Sequence, residues 1–130
     1  DAMKGKKLGE ALQQMAEEGV VQLFSPEDGS PAIVGVVGAL QIDVLKERLA
    51  QEYQLPVDFE PARFSVCRWM EADKAELQRF IDAHRADIAR DLDGDPVFLA
   101  QNGFSLNYEA ERWKAVRFKA IKDYQVRAAA

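Results

Sequence analysis

The chain has 130 residues, of which 48% are hydrophobic and 30% are charged, and its formal net charge is −5. A chain of this length buries roughly two thirds of its unfolded surface on folding, so one domain can form without a disulfide or a structural metal. The net negative charge argues against a protein that coats nucleic acid without sequence preference. Cys67 is the single cysteine, which excludes an intramolecular disulfide and favours a reducing compartment.

The sequence carries no membrane or secretory signal. No apolar run approaches the roughly 20 residues that a membrane-spanning helix requires. The first residues also lack the apolar core of a signal peptide. We therefore expect a cytoplasmic protein without a membrane partner.

The first half of the chain is organised around residues 32–53. Residues 32–37 form a continuous apolar run rich in β-branched side chains, which predicts a buried strand that ends at Gly38. From Ala39 the apolar residues recur at steps of three and four, which predicts an amphipathic helix. Four of its side chains should pack against the sheet, namely Leu40, Val44, Leu45 and Leu49.

The neighbouring segments complete an α+β pattern. A helix that ends at residue 18 with Gly19 as its C-cap precedes a strand over residues 20–24 and the turn SPEDGSP. The turn predicts a hairpin into residue 32, and we expect a further strand at residues 57–59. This order is most of the split β-α-β-β-α-β pattern of a ferredoxin-like fold, without its first strand. A helix that opens a domain this abruptly suggests a fragment of a longer polypeptide.

The second half predicts a further set of strands and helices. Residues 64–71 are apolar on both faces, which is typical of a central strand. Asp73 then caps a helix whose inward stripe comprises Leu77, Phe80, Ile81, His84 and Ile88. After a loop over residues 91–96 we expect a strand over 97–100, a hairpin turn at Asn102-Gly103, its partner strand over 104–106, helical turns over 108–113 and a last strand over 115–122. We treat residues 1–130 as a single domain with sub-regions over about 7–60 and 61–122 and a tail over 123–130.

Charge is unevenly distributed along the second half. Residues 71–95 hold eight acidic and four basic residues, whereas residues 112–130 hold six basic residues and one acidic residue. Alternation in the last strand gives it a basic outer face, which either guards a sheet edge against intermolecular pairing or contacts RNA phosphate. The candidate ribosome or RNA contacts are Arg112, Lys114, Arg117, Lys119 and Lys122.

Acidic residues in the loop over 91–96 alternate as in a calcium-binding loop. Asp91, Asp93 and Asp95 have the right spacing, but Pro96 and Asn102 stand where that loop needs a glycine and a bidentate glutamate. We therefore predict no metal site there.

The remaining candidates for chemistry also favour structural roles. His84 is the single histidine and lies on an apolar helix face, which favours a residue at the edge of the core. Cys67 is more typical of a buried structural thiol than of a catalytic partner for His84. The glycines of GVVG, residues 35–38, are not followed by the lysine and hydroxyl residue of a phosphate-binding loop. We predict no catalytic, cofactor-binding or metal-binding residue in this chain.

Two long segments carry a resemblance to a known family. They are KLGEALQQMAEEGVVQLFSP over residues 7–26 and IVGVVGALQIDVLKERLAQEY over residues 33–53, and the Arg68-Trp69 strand accompanies them. The combination resembles the C-terminal domain of the class II peptide chain release factors, the release factor three family of bacterial translational GTPases. The first half is more distantly similar to domain III of elongation factor G, whose I-x-G-M-G-E-L-H-L-E segment is replaced here by IVGVVGALQID. The resemblance spans about residues 7–122.

The resemblance implies a role in translation termination. Such factors carry a GTP-binding domain and a β-barrel domain upstream, where GTP or GDP and magnesium bind, and they use GTP to promote departure of class I release factors from the ribosome. This chain would then have no cofactor and no enzymatic activity of its own. It would contact ribosomal RNA or protein and pack against its own GTPase and β-barrel domains.

Two other classes of protein remain open on the residues alone. A free-standing small α+β enzyme would need a converging set of titratable groups. A stand-alone ferredoxin-like module would have a regulatory, dimerising or small-molecule-binding role. A G-x-x-x-x-G-K-[ST] motif upstream of Asp1 in the reading frame would favour the release factor, whereas a start near Met3 would favour the alternatives.

Overall fold

The computed structural model describes residues 2–36 and 39–120, and over these the chain has the predicted α+β architecture. Its helices are α1 (Ala2–Glu17), α2 (Ala39–Tyr53), α3 (Lys74–Ala83) and α4 (Gly103–Arg112). Its strands are β1 (Gln22–Pro26), β2 (Ile33–Gly35), β3 (Val66–Glu71), β4 (Ile88–Arg90), β5 (Pro96–Ala100) and β6 (Arg117–Lys119). None of the helices in these two ranges combines the length and hydropathy that a bilayer span requires.

Two compact units make up the chain. The N-terminal unit comprises the described residues of Asp1–Phe24 and Ala32–Ala62, and the C-terminal unit comprises those of Ser25–Pro31 and Arg63–Ala130. Each unit has its own cluster of buried apolar side chains. The single-domain boundary expected from the sequence stays a prediction.

The N-terminal unit begins with α1, which ends one residue before the predicted end at residue 18. Gly19 ends the helix with φ at +84°, and its N–H donates to Ala16 O at 3.0 Å while Val20 N–H donates to Met15 O at 3.0 Å. This pair of bonds is a Schellman cap, in which glycine adopts the left-handed conformation without a Cβ penalty. The C-cap predicted at Gly19 is confirmed.

The predicted hairpin between β1 and β2 is also confirmed. The strands are antiparallel, with Gln22 opposite Gly35 and Phe24 opposite Ile33. All three residues of β2 are half-buried rather than buried, so the continuous apolar run overstated the burial of this strand. The expected end of the strand at residues 37–38 lies outside the described residues.

Helix α2 buries one of its two apolar lines. Leu45 and Leu49 are fully buried, whereas Leu40 is 77% exposed and Val44 is 50% exposed. The prediction that Leu40 and Val44 face the core is wrong. Because successive helical residues are about 100° apart, the line through Leu45, Leu49 and Tyr53 diverges from the line through Leu40 and Val44.

After α2 the chain forms no strand over residues 54–61. Gln54 has φ at +54°, and Leu55 N–H donates to Leu49 O at 2.9 Å, which turns the backbone at the end of the helix. The strand predicted at residues 57–59 is therefore wrong. Its apolar residues, Val57 and Phe59, still pack against the core of the N-terminal unit as side chains of an irregular segment.

The C-terminal unit is built on an antiparallel sheet. The last two residues of β1 pair with β4, and the hydrogen-bonded order continues β4-β5-β3-β6. Within it Cys67 lies opposite Leu99, and Met70 lies opposite Phe118. Strand β3 therefore has a neighbour on each side, which confirms the prediction of a central strand at this position.

Helix α3 is shorter than its predicted apolar stripe. It ends at Ala83, a 3-10 turn covers Arg85–Asp87, and Ile88 begins β4. Ile88 is buried as expected, but it lies on a strand, so its assignment to the helix is wrong. Asp73 occupies the N-cap position without a side-chain cap hydrogen bond.

The segment after β5 is the largest departure from the sequence prediction. Asn102-Gly103 is not a hairpin turn, and residues 104–106 are not a strand, because both belong to the start of α4. Asn102 has an extended backbone, and its side-chain oxygen accepts from Ser105 N–H at 2.8 Å. This is an N-cap, and the same residue type favours both structures.

We expect Leu45→Ala and Leu49→Ala each to lower the free energy of unfolding by about 2–5 kcal/mol, because each leaves a cavity in a packed core. Leu40→Ala is the matched control on the exposed side of the same helix and should change stability by less than about 0.5 kcal/mol. Urea denaturation followed by circular dichroism measures all three. A loss for Leu40→Ala as large as for Leu45→Ala would contradict the assigned face.

Asn102→Ala should destabilise the chain by about 1 kcal/mol, because it removes the acceptor of the Ser105 N–H. Asn107→Ala, within the same helix and exposed, should be neutral or slightly stabilising, since alanine has the higher helix propensity. Asp73→Ala should cost less than Asn102→Ala, because the Asp73 side chain makes no cap hydrogen bond. Equal effects of all three on the denaturation midpoint would refute the assigned cap.

Candidate functional site

The predicted basic edge is formed by β6 beside β3. Arg117 lies opposite Glu71, and Lys119 lies opposite Trp69. Both basic side chains are bound to one carboxylate: Arg117 Nη2 is 3.2 Å from Glu71 Oε1, and Lys119 Nζ is 2.8 Å from Glu71 Oε2. The structure thus brings two of the five predicted contact residues together and places an acidic residue between them.

Electrostatics at this edge follow from the shared carboxylate. The hydrogen bond from Lys119, with a further one from Arg117, lowers the pKa of Glu71 below its usual value. Glu71 is therefore ionised at neutral pH and cancels one of the two positive charges. The edge remains positive, but less strongly than the sequence alone indicated, and Arg117 keeps a side chain that is 66% exposed.

The other three predicted contact residues lie elsewhere or outside the described part of the chain. Arg112 is in the last turn of α4, where it donates to Tyr108 Oη at 2.9 Å and its guanidinium lies 5.3 Å from the centre of that ring. Lys114 is exposed between α4 and β6. Lys122 lies outside the described residues. Contact of these residues with RNA stays a prediction.

A groove in the C-terminal unit was not foreseen from the sequence. Its volume is about 400 Å³, and we call it the aromatic groove. It lies between α4, strand β5 and the segment before β3. Its lining residues include Arg63, Phe64, His84, Phe104, Tyr108 and Glu109.

Two rings of α4 border the aromatic groove and face solvent. Phe104 is 79% exposed and Tyr108 is 51% exposed, and their spacing of four residues places them on one helix face. The sequence does contain a pattern that indicates this helix face. Asn102 is a typical N-cap residue, and two aromatic residues follow it with the four-residue spacing of one helix face. The pattern was missed because Asn102-Gly103 is also a hairpin-turn dipeptide.

His84 and Glu109 both line the aromatic groove and contact each other. His84 Nδ1 is 2.9 Å from Phe80 O, and His84 Nε2 is 2.5 Å from Glu109 Oε2. Since a carbonyl oxygen only accepts, Nδ1 donates to Phe80 O, and Nε2 is the ring nitrogen that contacts the carboxylate. Only 15% of the His84 side chain is exposed. The contact ties α3 to α4, and His84 lies at the edge of the core as predicted.

Cys67 has the properties of a structural thiol. It lies half-buried on β3, and this burial raises its pKa to about 11, although the neighbouring Arg68 acts in the opposite direction. At neutral pH the group is the protonated thiol rather than the nucleophilic thiolate. It is therefore unsuited to nucleophilic chemistry.

The loop between β4 and β5 gathers three carboxylates. Asp91, Asp93 and Asp95 offer oxygens within 4.8 Å of one another. Asp91 is engaged within the fold, since it accepts from the backbone N–H groups of Asp93 and Asp95 at 2.9 Å and from Trp69 Nε1 at 3.0 Å. Pro96 starts β5 and Asn102 caps α4, so neither position belongs to a twelve-residue calcium loop. The cluster serves as a hairpin turn.

Comparison with known proteins identifies the family of the chain. Residues 1–110 match the family model described as class II release factor RF3, C-terminal domain. The chain belongs to this family. It is 38% identical over 125 residues to peptide chain release factor 3 of Nitrosomonas europaea, and equally to that of Nitrosomonas eutropha. These alignments cover 95% of the chain and 23% of each relative, so the chain spans about a quarter of the length of those release factors.

Both candidate surfaces lie in the part of the chain that is similar to release factors. All of the aromatic groove, from Arg63 to Glu109, lies within the residues 1–110 that match the family model. The five basic residues from Arg112 to Lys122 lie beyond that match but within the alignments to the two relatives, which cover 95% of the chain. The family resemblance seen in the sequence is confirmed for the C-terminal domain, and it concerns that domain rather than a GTP-binding domain.

Glu71→Gln should tighten binding of a polyanion, because it leaves Arg117 and Lys119 without their shared carboxylate. Elution from heparin should therefore move to higher salt. Glu47→Gln is the matched control, since it removes the same charge from an exposed position on α2. If both variants shift elution by the same amount, net charge alone explains the effect and Glu71 does not mask the basic edge.

Proposed function

We propose that the chain is the C-terminal part of a GTP-dependent translation termination factor, which stimulates release or recycling of class I release factors from the ribosome. The observation that carries the proposal is the match of residues 1–110 to the C-terminal domain of class II release factor RF3. The relatives named peptide chain release factor 3 support it along 95% of the chain. A cytoplasmic location follows from such a role.

Within that factor the chain acts as a contact module. GTP or GDP and magnesium bind in an N-terminal domain of the factor, and this segment supplies no catalytic group. It contacts ribosomal RNA or protein and packs against the factor's own GTPase and β-barrel domains. The protonated Cys67 thiol and the engaged His84 support a role without catalysis.

The basic edge supplies the phosphate contact in this proposal. Arg117 remains largely exposed although it bonds Glu71, so its guanidinium can reach an additional oxygen. Lys119 is half-buried, and its ammonium group is a compact charge on a flexible stem that suits non-specific phosphate binding. The same two charges also protect an edge strand against pairing with another chain, and the two roles are separable by experiment.

The experiment is co-sedimentation of the chain with bacterial ribosomes over a series of salt concentrations. We expect Arg117→Gln combined with Lys119→Gln to weaken association and to reduce the salt slope by about one unit for each lost phosphate contact. Lys6→Gln combined with Lys7→Gln removes the same charge from exposed positions of α1 and should leave the slope unchanged.

A different result would support the protective role of the basic edge. An unaltered salt slope in the Arg117 and Lys119 variant, together with new aggregation in light scattering, would show that these charges guard the edge strand. If the parent chain does not associate with ribosomes at any salt concentration, the proposal that it is a ribosome-contact module is wrong.

A further inference from the structure

We propose that the aromatic groove binds an unstacked nucleobase of single-stranded RNA, with the rings of Phe104 and Tyr108 as its stacking surface. This inference rests on the proposed function, because it names the part of an RNA partner that the C-terminal unit receives. It concerns a different surface from the basic edge and a different kind of contact.

The exposed wall of the groove is suited to stacking. Phe104 is 79% exposed and Tyr108 is 51% exposed, and both line the groove from one face of α4. Every nucleobase has a flat apolar face that can stack on such rings, and single-stranded RNA sites use aromatic side chains in this way. A ring that is already exposed and held on a helix loses little freedom when a base covers it.

The groove is also lined by an aromatic ring that pairs with an arginine, Phe64 with Arg63. The guanidinium carbon of Arg63 lies 4.1 Å from the centre of the Phe64 ring. Arg63 Nη2 is also 2.8 Å from Ala86 O and 3.0 Å from Asp87 Oδ1. These bonds hold the guanidinium in place, and its planar, weakly hydrated surface is the kind on which bases stack. Arg112 lies against Tyr108 in a similar way.

The charges inside the groove favour a base over a phosphate. Asp87 and Glu109 are lining residues, and the Arg63 guanidinium is already paired with Asp87, so it is less available to a phosphate group. The two carboxylates offer acceptors for the exocyclic amine of adenine, cytosine or guanine. Glu109 is held in position by His84. A base with an exocyclic amine therefore fits better than uracil, and the phosphate backbone stays outside the groove.

The occupant is RNA rather than a protein segment because of the position of Arg63. This residue lines the groove and lies over the face of the Phe64 ring, where a base can stack beside the guanidinium, and cation–π contacts from arginine are typical of single-stranded nucleic-acid sites. The carboxylates that line the groove are matched by a base edge with amine donors. A volume of about 400 Å³ accommodates one nucleobase and its sugar.

The test uses the 130-residue chain and short fluorescein-labelled RNA single strands of adenine, cytosine or uracil, with fluorescence anisotropy as the measurement. We expect Phe104→Ala and Tyr108→Ala each to weaken binding of the adenine or cytosine strand about tenfold without changing the salt slope. Tyr108→Phe keeps the ring and should bind like the parent chain. Leu40→Ala removes an equally exposed apolar side chain from α2 and should have no effect.

Base preference is the second measurement. We expect the parent chain to bind adenine and cytosine strands more tightly than uracil, and Glu109→Gln to reduce that preference. Both exposed-ring variants should keep the circular dichroism spectrum and denaturation midpoint of the parent, since neither side chain is in the core. A loss of RNA binding without a change in stability would then be due to the loss of a contact in the aromatic groove.

Several results would overturn the inference. It fails if the parent chain does not bind the single strands, or if Phe104→Ala and Tyr108→Ala bind them as the parent does. If these variants lose ribosome association but keep RNA affinity, the groove binds a protein and the inference fails. If the parent chain associates with ribosomes but does not bind the single strands, the proposed function stands and only the nucleobase site is removed.

Discussion

Phe80 is the side chain on which the C-terminal unit depends. It is fully buried and stacks on His84 with a centroid distance of 4.0 Å. Its ring meets Phe98, Trp113 and Phe118 in edge-on geometry at 5.3, 5.1 and 5.4 Å. Such pairs contribute about 0.5–1.5 kcal/mol each beyond their burial. One residue of α3 thereby fixes β5, the end of α4 and β6, which are the elements that carry both candidate surfaces.

Elements that depend on local chemistry were predictable from the sequence. The hairpin between β1 and β2 follows from its turn, in which Ser30 N–H donates to Asp28 Oδ1 at 2.9 Å and Gly29 adopts φ of +83°. Those bonds form between residues two apart and need no tertiary context. The cap at Gly19 belongs to the same class. Both were therefore correct to within a few residues.

Elements that depend on distant packing were not predictable. Ile88 fits the helical stripe of α3, but it is also β-branched, and the pairing of β4 with β5 decides in favour of the strand. Asn102 is typical of a hairpin turn and of a helix N-cap alike. The burial of Leu106 in the core favours the helix, because Leu106 reaches the core from α4. The prediction that Leu40 and Val44 are buried is wrong for another reason. Helix periodicity gives α2 two lines of apolar residues, and only contact with other elements decides which line is buried.

The two candidate surfaces were predictable to different degrees for the same reason. The basic edge is a property of composition along one strand, so charge counting found Arg117 and Lys119 without the fold. The partner Glu71 is 46 residues away from Arg117, and no local pattern indicates the pairing. The aromatic groove requires β5, α4 and the segment at Arg63 to converge. The prediction of a strand at residues 104–106 excludes the helix face that carries Phe104 and Tyr108, so it also excludes the groove.

The overall charge of the chain constrains how it can recognise RNA. With a formal net charge of −5, the chain gains no long-range attraction for a phosphate backbone, and at physiological salt the field of exposed charges is screened within about 8 Å. Recognition must then come from short-range contacts. In the proposed function the basic edge would provide one, weakened by the carboxylate of Glu71. The proposed stacking on Phe104 and Tyr108 would provide another that salt does not screen, because it depends on apolar contact rather than on charge. If both proposals hold, the chain would favour an RNA that offers an exposed base beside its backbone over a phosphate backbone that presents charge alone.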